Sequence, residues 1–325
     1  MLSPSPIPFD QFMARALYGP ETGYYARRIS GVGRRGDFTT APMLSEAPAR
    51  AIAAWVSRAL RETGTRDLIE IGPGEGTLAA AVLKFLPWSV RLRLRLHLVE
   101  TSQPLAERQR KLLGKRARWH RGMTEALAAC KGRAVIFSNE LVDAFSVKRF
   151  EKTEAGWQEI AVCGDADGFA VESLLSVAEL PPSSGFHDAH PIGQRIEVHD
   201  SYRRYLTEWL PHWKAGRMLT IDYGATTEKL YQRQRNGSIR GYLMQQVLTG
   251  LEIYQNAGRQ DLTADVNFTD LQTWSGPWVT TQRLMSLKEF LTESLQNEIP
   301  GVRALVEEHG AGDAFQVLEQ SRQGY

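Results

Sequence analysis

The stretch DLIEIGPGEGTLAAAVLKFL, residues 67–86, combines an apolar run, three closely spaced glycines and a second, helix-like run. The first run predicts a buried strand, and the residues from Thr77 onward predict a helix. Gly72, Gly74 and Gly76 lie between the two, where a tight turn brings backbone amides close to a ligand at the positive end of the helix. The stretch therefore predicts a nucleotide-type binding turn at a strand end.

The spacing of the glycines distinguishes between cofactors. A dinucleotide fingerprint requires glycines at its first, third and sixth positions, but the sixth position here is Thr77. The pattern of Glu70 followed by alternate glycines resembles motif I of class I methyltransferases. Their cofactor, S-adenosylmethionine, has no pyrophosphate, so Glu70 can serve its positive methionine end. An ordinary tight turn is the structural alternative.

A second acid, Glu100, ends the next predicted strand. Its carboxylate can accept hydrogen bonds from both hydroxyls of a ribose. Because nicotinamide sites use the same kind of acid, Glu100 does not discriminate between the two cofactors.

Strands and helices alternate along the chain. Further strands are predicted at 92–100, 134–138 and 217–224, with a helix over 102–113. This alternation indicates an α/β fold with a doubly wound, mainly parallel sheet. Ligands bind beyond the carboxyl ends of such strands, so we expect the polar residues that follow the strands to share one rim.

Four parts are expected along the chain. Residues 1–64 form an N-terminal helical segment with a loop, and 65–150 together with 195–225 form the core. Residues 151–194 form a strand-rich insertion, with WQEIAVCG and GFAVESLL as hairpin strands. Residues 226–325 are expected to form a substrate-side insertion, polar and irregular at first, followed by C-terminal helices from Ser286.

The composition limits the classes of partner. The 325 residues, 42% hydrophobic and 23% charged with a net charge of +2, indicate a globular protein rather than a nucleic-acid binder. Cys130 and Cys163 have no CxxC spacing, which argues against a disulfide framework or a metal site. No segment has the ~18 continuous apolar residues that a membrane span needs. We therefore expect a cytoplasmic protein without a metal, nucleic-acid or membrane partner.

Six segments occur in the order and approximate spacing of the MidA-like methyltransferases. They are GDFTTAPMLSEA (36–47), EIGPGEGTL (70–78), SNELVDAFSVKRF (138–150), IDYG (221–224), GSIRGY (237–242) and QDLTADVNF (260–268). The chain resembles this family, which includes the mitochondrial complex I assembly methyltransferase. The resemblance implies a class I methyltransferase (Rossmann-like) fold, S-adenosylmethionine as donor and an arginine of a partner protein as acceptor.

The resemblance also implies roles for individual residues. Asp37 and Phe38 match the family's Gly-Asp-Phe loop, which looks like a lid over the cofactor; without the family, Asp37 suits a turn after Gly36. The cofactor-binding set is then Asp37, Phe38, Glu70, Gly72, Gly74, Gly76 and Glu100.

The acceptor side is predicted from two further motifs. Asn139, Glu140 and Asp143 match the Asn-Glu-x-x-Asp-Ala segment, and on a helical turn the two acids would share a face and bind a guanidinium. The alternative is a helix start capped by Asn139, with the acids favouring the helix dipole. Asp222 and Tyr223 would line the same side, with core packing as the alternative for Tyr223. These five residues form the predicted catalytic set.

Several departures from the family pattern fall on the acceptor side. Met43 replaces the usual glutamate, a histidine pair near GYLMQQVL is absent, and Asp265 stands where the family has histidine. The first functional prediction is a protein arginine methyltransferase. The alternatives are a non-catalytic assembly factor that binds S-adenosylmethionine and, more weakly, a nicotinamide-dependent oxidoreductase. The sequence does not predict the acceptor protein, the methylation symmetry or the oligomeric state.

Overall fold

The strand, glycine turn and helix predicted from residues 67–86 are present in the computed structural model, which describes residues 5–27, 46–165, 167, 169–295 and 311–323. The helices are α1 Phe9–Tyr18, α2 Tyr24–Arg27, α3 Ala47–Thr63, α4 Thr77–Phe85, α5 Trp88–Arg91, α6 Gln103–Leu113, α7 Met123–Ala129, α8 Asp200–Trp209, α9 Thr227–Arg233, α10 Phe268–Ser275 and α11 Leu287–Leu295. The strands are β1 Ile7–Pro8, β2 Asp67–Ile71, β3 Arg95–Val99, β4 Ala117–His120, β5 Val135–Asn139, β6 Lys148–Thr153, β7 Gly156–Gly164, β8 Ala170–Leu175, β9 Arg195–Val198, β10 Gly216–Ala225, β11 Arg240–Leu243, β12 Gln246–Leu248, β13 Asp261–Thr263, β14 Val266–Asn267, β15 Thr280–Ser286 and β16 Phe315–Arg322.

The central sheet has the strand order β4-β3-β2-β5-β10-β16-β15, and β14 adds to β10. The strands from β4 to β10 are parallel, whereas β16 runs antiparallel to its neighbours β10 and β15. The chain moves outward from β2 in one direction through β3 and β4, and in the other direction through β5 and β10. The strand order therefore reverses between β2 and β5, which is where doubly wound sheets bind their ligands.

Helices cover both faces of this sheet, and the alternation of side chains along β2 shows how. Leu68 packs in one apolar layer with Trp55 of α3, while Ile69 packs in the other with Leu127 of α7. A parallel sheet covered on both faces requires apolar residues at successive positions, which explains the continuous run in the sequence. The helix before β2, α3, is followed by Gly64, whose φ of 66° gives the left-handed conformation that suits a helix terminus.

A second, antiparallel sheet lies outside the core. Strands β1, β7, β6 and β9 follow one another, and β8 pairs with β7. The two hairpin strands predicted from WQEIAVCG and GFAVESLL are β7 and β8. The sheet extends beyond the predicted insertion 151–194, because it begins at Lys148, ends at Val198 and includes β1.

The prediction that the chain is helical from Ser286 is wrong in its last part. After α11, the segment Phe315–Arg322 forms β16 in the central sheet. Its side chains are buried on both faces, with Val317 in one apolar layer and Leu318 in the other. The segment expected to be irregular also contains the three-stranded sheet β12-β11-β13. Among the described residues, no helix combines the length and apolar character needed to cross a bilayer.

Candidate active site

A cavity of about 470 Å³ opens at the carboxyl ends of β2, β3 and β5, the position expected from the strand order. Two groups of residues line it. The turn side comprises Glu70–Glu75, Thr77, Leu78, Val99–Ser102 and Leu105. The loop side comprises Asn139–Leu141, Ala144–Ser146, Ser201, Tyr205, Tyr18 and Tyr25, and Arg121 and Gly122 complete the lining. A volume of this size suits a cofactor-sized ligand.

The glycine turn forms one wall of the turn side. Gly72 has a φ of 65° and its amide donates to the carbonyl of Val99 at 3.0 Å, which ties the end of β2 to β3. A Cβ at Gly72 would lie 2.6 Å from Cδ1 of Leu141, so the loop after β5 approaches this turn closely. Gly74 also lines the cavity, whereas Gly76 caps the start of α4 and packs against Gln109.

Glu70 is a buried carboxylate that faces the cavity with one oxygen unsatisfied. Its exposed fraction is 2%, and its Oε2 has no hydrogen-bond partner among the described residues. Burial, followed by the nearby charge of Glu100, raises the pKa of Glu70 to about 8. An orphaned buried acid is costly unless a cation or donor meets it. The site therefore fits a ligand that carries a positive group at this point.

Glu100 lies at the end of β3 with its carboxylate held from both sides. Ser102 donates its amide hydrogen to Oε1 at 2.7 Å, and Gln109 donates from Nε2 to Oε2 at 3.1 Å. Burial raises the pKa of Glu100, and these hydrogen bonds oppose the increase. The backbone of Thr101 also donates to this carboxylate, and because a carboxylate can accept about four hydrogen bonds, it retains capacity for a hydroxyl of the ligand.

Gln109 is a site residue that sequence reasoning missed. It is fully buried on α6, and besides Glu100 it donates to the carbonyl of Gly74 at 2.6 Å. Its Oε1 accepts from Nε1 of Trp119 at 3.0 Å. The sequence could have indicated Gln109, because it is a polar residue four positions after Leu105, on the buried face of an amphipathic helix.

The loop after β5 does not form the predicted helical turn. Residues 140–147 form turns, bends and irregular backbone without a helix, and Glu140 has a φ of 51°, which is incompatible with a right-handed helix. The expectation that Glu140 and Asp143 share a helix face is therefore wrong. Its physical reason is Asp222, whose Oδ2 accepts the amide hydrogens of Leu141 and Val142 at 3.1 and 2.8 Å. These bonds replace the intrahelical ones.

The Glu140 carboxylate lines the cavity in a fixed orientation. Asn139 Nδ2 donates to its Oε1 at 3.0 Å, and the Tyr223 hydroxyl donates to its Oε2 at 3.2 Å. Its backbone amide donates to the carbonyl of Ile221 at 2.9 Å. Asn139, Glu140 and Tyr223 thus form one connected group, in which Asn139 and Glu140 line the cavity, whereas Tyr223 packs against the core and is not among the described lining residues.

The other two predicted acids lie behind the loop. The described residues that line the cavity do not include Asp143 or Asp222. Asp222 is fully buried, and Asp143 accepts from Oγ1 of Thr263 at 2.7 Å. Burial raises the pKa of both acids, and in Asp222 the charge of Asp143 adds to this effect. The structure therefore brings Asp143 and Asp222 together with each other, at the back of the loop that carries Glu140.

Two tyrosines from the N-terminal segment were not predicted. Tyr18 and Tyr25 stack with their ring centroids 5.5 Å apart, and both line the cavity. Tyr18 donates to the carbonyl of Ala144 at 2.6 Å, and Tyr25 donates to Oδ1 of Asp261 at 3.0 Å. The predicted lid residues Asp37 and Phe38 lie outside the described residues.

One buried cluster at the opposite end of β2 has the residue types of a metal site. Ligand atoms of Asp67, His97 and Cys130 lie within 4.8 Å of one another. However, Arg95 donates from Nε to Asp67 at 2.7 Å, and His97 Nε2 lies 3.2 Å from the same carboxylate oxygen. These contacts form a hydrogen-bonded ion-pair network, which accounts for the cluster. Linear spacing did not indicate it because the three residues come from separate elements.

Comparison with known proteins places this geometry in a family. Residues 51–281 match the family described as "Putative S-adenosyl-L-methionine-dependent methyltransferase". A Burkholderia thailandensis protein crystallised with S-adenosyl-homocysteine shares 28% identity, with a TM-score of 0.85 over 98% of this chain and 88% of that one. The predicted class I methyltransferase fold and the S-adenosylmethionine cofactor are confirmed.

Curated relatives carry a more specific name. "Protein arginine methyltransferase NDUFAF7 homolog, mitochondrial" of Drosophila melanogaster is 28% identical over 82% of this chain. The Homo sapiens protein arginine methyltransferase NDUFAF7, mitochondrial, is 27% identical over 83% of the chain. In both comparisons the chain spans 66% of the relative's length.

These names overturn one prediction. The relatives are named as mitochondrial proteins, so the predicted cytoplasmic location is wrong. Charge, hydropathy and cysteine content describe the solvent and redox conditions that a protein tolerates, and several compartments share those conditions.

Proposed function

Since the chain belongs to the S-adenosyl-L-methionine-dependent methyltransferase family, we propose that it methylates an arginine side chain of a partner protein. The observation that carries this proposal is the Glu140 carboxylate, which is fixed by two donors in the wall of the same cavity as the glycine turn. The names of the curated relatives support the choice of arginine.

The turn side fits the cofactor residue by residue. Glu70 presents an unsatisfied buried carboxylate for the methionine ammonium group, and Glu100 presents two oriented oxygens for the ribose hydroxyls. Gly74 leaves open space beside the backbone, since a Cβ there would meet no atom within 4 Å. When bound, S-adenosylmethionine supplies an electrophilic methyl group on a positively charged sulfur.

Glu140 has the chemistry that an arginine acceptor requires. A guanidinium arrives positively charged and presents its donors in a planar fork that matches a carboxylate. Pairing with Glu140 balances that charge and orients one nitrogen toward the turn side. Because Asn139 and Tyr223 hold the carboxylate, little reorganisation is needed when the acceptor binds.

The remaining predicted residues have supporting roles in this proposal. Asp222 holds the loop through backbone amides, and Asp143 packs behind it with Thr263. Neither acid contacts the acceptor in this arrangement. The acceptor is therefore bound by one carboxylate rather than by the pair that the sequence predicted.

The proposal is tested by transfer of a labelled methyl group to proteins of a mitochondrial lysate, with the modified residue identified by mass spectrometry. The Glu140→Gln variant should bind S-adenosyl-homocysteine like the wild type and should lose labelling of arginine. Glu293→Gln is the matched control, because Glu293 is an exposed carboxylate paired with Arg283 on the surface. Tight cofactor binding by the wild type without labelling of any protein would favour the non-catalytic assembly factor instead.

A further inference from the structure

We propose that Arg240, neutralised by Asp265, is a positioning residue that orients Glu140 through the ring of Tyr223. The proposal rests on the function proposed above, because Glu140 is there the acceptor carboxylate. Arg240 lies on β11 and Asp265 lies between β13 and β14, and neither is among the described residues that line the cavity. Their effect on the acceptor is therefore indirect.

The first link is the contact between Tyr223 and Glu140. The Tyr223 hydroxyl donates to Glu140 Oε2 at 3.2 Å, so rotation of the tyrosine side chain would release one side of the carboxylate. The ring is only partly enclosed by the core. It packs against Phe315, with 4.0 Å between the ring centroids.

The second link is the cation above this ring. The guanidinium carbon of Arg240 lies 5.6 Å from the centroid of Tyr223, within the range of a cation–π interaction. A guanidinium held by several hydrogen bonds keeps its charge at one position over a ring, which the flexible ammonium group of a lysine does not reproduce. The cation–π contact therefore restrains the Tyr223 side chain together with Phe315.

The third link fixes Arg240 itself. Its Nη1 donates to Asp265 at 2.6 Å and to the carbonyl of Ser238 at 3.1 Å, and its Nε donates to the Tyr242 hydroxyl at 3.0 Å. Asp265 in turn donates its amide hydrogen to Oγ of Ser238 at 2.9 Å. The side chains of Arg240 and Asp265 are only 18% and 17% exposed, so solvent screens this pair weakly.

Asp265 also has an electrostatic role in this proposal. A guanidinium acceptor approaching Glu140 would be repelled by an unpaired Arg240 behind Tyr223. The Asp265 carboxylate cancels that charge. The pair thus supplies the cation–π contact of an arginine without net repulsion of the acceptor.

Two substitutions separate these roles. Arg240→Lys keeps the charge and loses the hydrogen bonds that hold it over the ring, so kcat should fall about 10- to 100-fold with little change in the KM of the arginine acceptor. Asp265→Asn leaves Arg240 uncompensated, so the acceptor KM should rise several-fold, and added salt should reduce that rise. Both variants should keep the wild-type affinity for S-adenosyl-homocysteine. Arg283→Lys is the matched control, because it changes a surface ion pair on β15.

A double-mutant cycle identifies Tyr223 as the intermediary. If Arg240 acts through that ring, Arg240→Lys should cause no further loss of kcat in a Tyr223→Phe background, because the hydroxyl it positions is gone. Additive losses, or a kcat of Arg240→Lys equal to that of the wild type, would overturn the proposal.

A measurement without an acceptor distinguishes failure of this proposal from failure of the proposed function. Protein labelled with 3-fluorotyrosine gives a fluorine NMR resonance for residue 223, assigned by its absence in Tyr223→Phe. We expect this resonance to shift or broaden in Arg240→Lys and to stay unchanged in Arg283→Lys. An unchanged resonance in Arg240→Lys would contradict the positioning role. Absence of arginine methylation by the wild type would instead refute the proposed function.

Discussion

Gln109 donates a hydrogen bond to Glu100 at 3.1 Å, and through the same amide nitrogen it bonds the carbonyl of Gly74 at 2.6 Å. One buried side chain thus joins the acid at the end of β3 to the glycine turn at the end of β2. Glu100 would contact the ribose of the cofactor, and the glycine turn would contact its methionine group. Gln109 therefore holds these two parts of the turn side at a fixed separation. This arrangement predicts that cofactor affinity depends on a residue outside the glycine motif.

Gln109→Leu should weaken binding of S-adenosyl-homocysteine about tenfold, because loss of these bonds leaves Glu100 and the turn less ordered. Glu100→Ala should weaken it roughly 10- to 100-fold, because the ribose then loses a charged acceptor. Titration calorimetry measures both. Trp119→Phe is the control, since it removes the indole donor to Gln109 while the bonds of Gln109 to Gly74 and Glu100 remain, and it should leave affinity nearly unchanged. Wild-type affinity in Gln109→Leu would show that the link is only structural.

Much of the turn side could be predicted because it follows from local pattern. Parallel strands place their carboxyl ends on one rim, so an acid after each strand predicted that Glu70 and Glu100 would lie near the same ligand. Gln109 could not be predicted in this way, since its partner Gly74 lies 35 positions away in sequence. The periodicity of a helix does not indicate which buried polar side chain forms a hydrogen bond with a distant turn.

The loop side depended on contacts that are distant in sequence. The helical turn expected over residues 140–143 is compatible with local propensity, but Asp222 competes for its amide hydrogens from 80 residues away. The strand Phe315–Arg322 likewise pairs with Gly216–Tyr223, about a hundred positions earlier. Such pairings are decided by tertiary packing, which overrides the weak local preference for helix.

The two glycines of the turn should respond differently to alanine. Both have positive φ, of 65° for Gly72 and 55° for Gly74, so each substitution costs about 1–2 kcal/mol of backbone strain. Only in Gly72→Ala must the end of the Leu141 side chain also move, because the new Cβ would lie 2.6 Å from its Cδ1. We therefore expect a slightly lower melting temperature for Gly72→Ala than for Gly74→Ala. In Gly74→Ala the new methyl group enters the cavity. The main effect of this substitution should therefore be weaker cofactor binding. Wild-type cofactor affinity in Gly74→Ala would contradict a close approach of the turn to the ligand.

Asp222→Asn should destabilise the loop that carries Glu140. The Asp222 carboxylate accepts hydrogen bonds from Leu141 and Val142 on Oδ2 and from Tyr223 on Oδ1, and an amide can accept on one side only. The free energy of unfolding in urea should fall by about 1–3 kcal/mol, the usual cost of a buried donor without an acceptor. Asp143→Asn is the comparison, because its amide oxygen can still accept from Thr263. Equal losses in the two variants would show that Asp222 does not have this special role.

Glu70 should make both folding and cofactor binding depend on pH. Its pKa is raised from 4.5 to about 8 in the folded protein, so between these values the folded state binds a proton that the unfolded chain has released. The free energy of unfolding should therefore decrease as pH rises through this window, and Glu70→Gln should lack that decrease.

Cofactor binding should depend on pH in the opposite direction from stability. The reason is that the methionine ammonium group binds the ionised form of Glu70. Binding of S-adenosyl-homocysteine should therefore release close to one proton at pH 7, and affinity should fall about tenfold per pH unit below 8. Calorimetry in buffers of different ionisation enthalpy counts the protons released. The Glu70→Gln variant should release none through this group and should bind more weakly at pH 8. Proton uptake by the wild type, or an affinity that is constant from pH 6 to 8, would place the ammonium group elsewhere in the cavity.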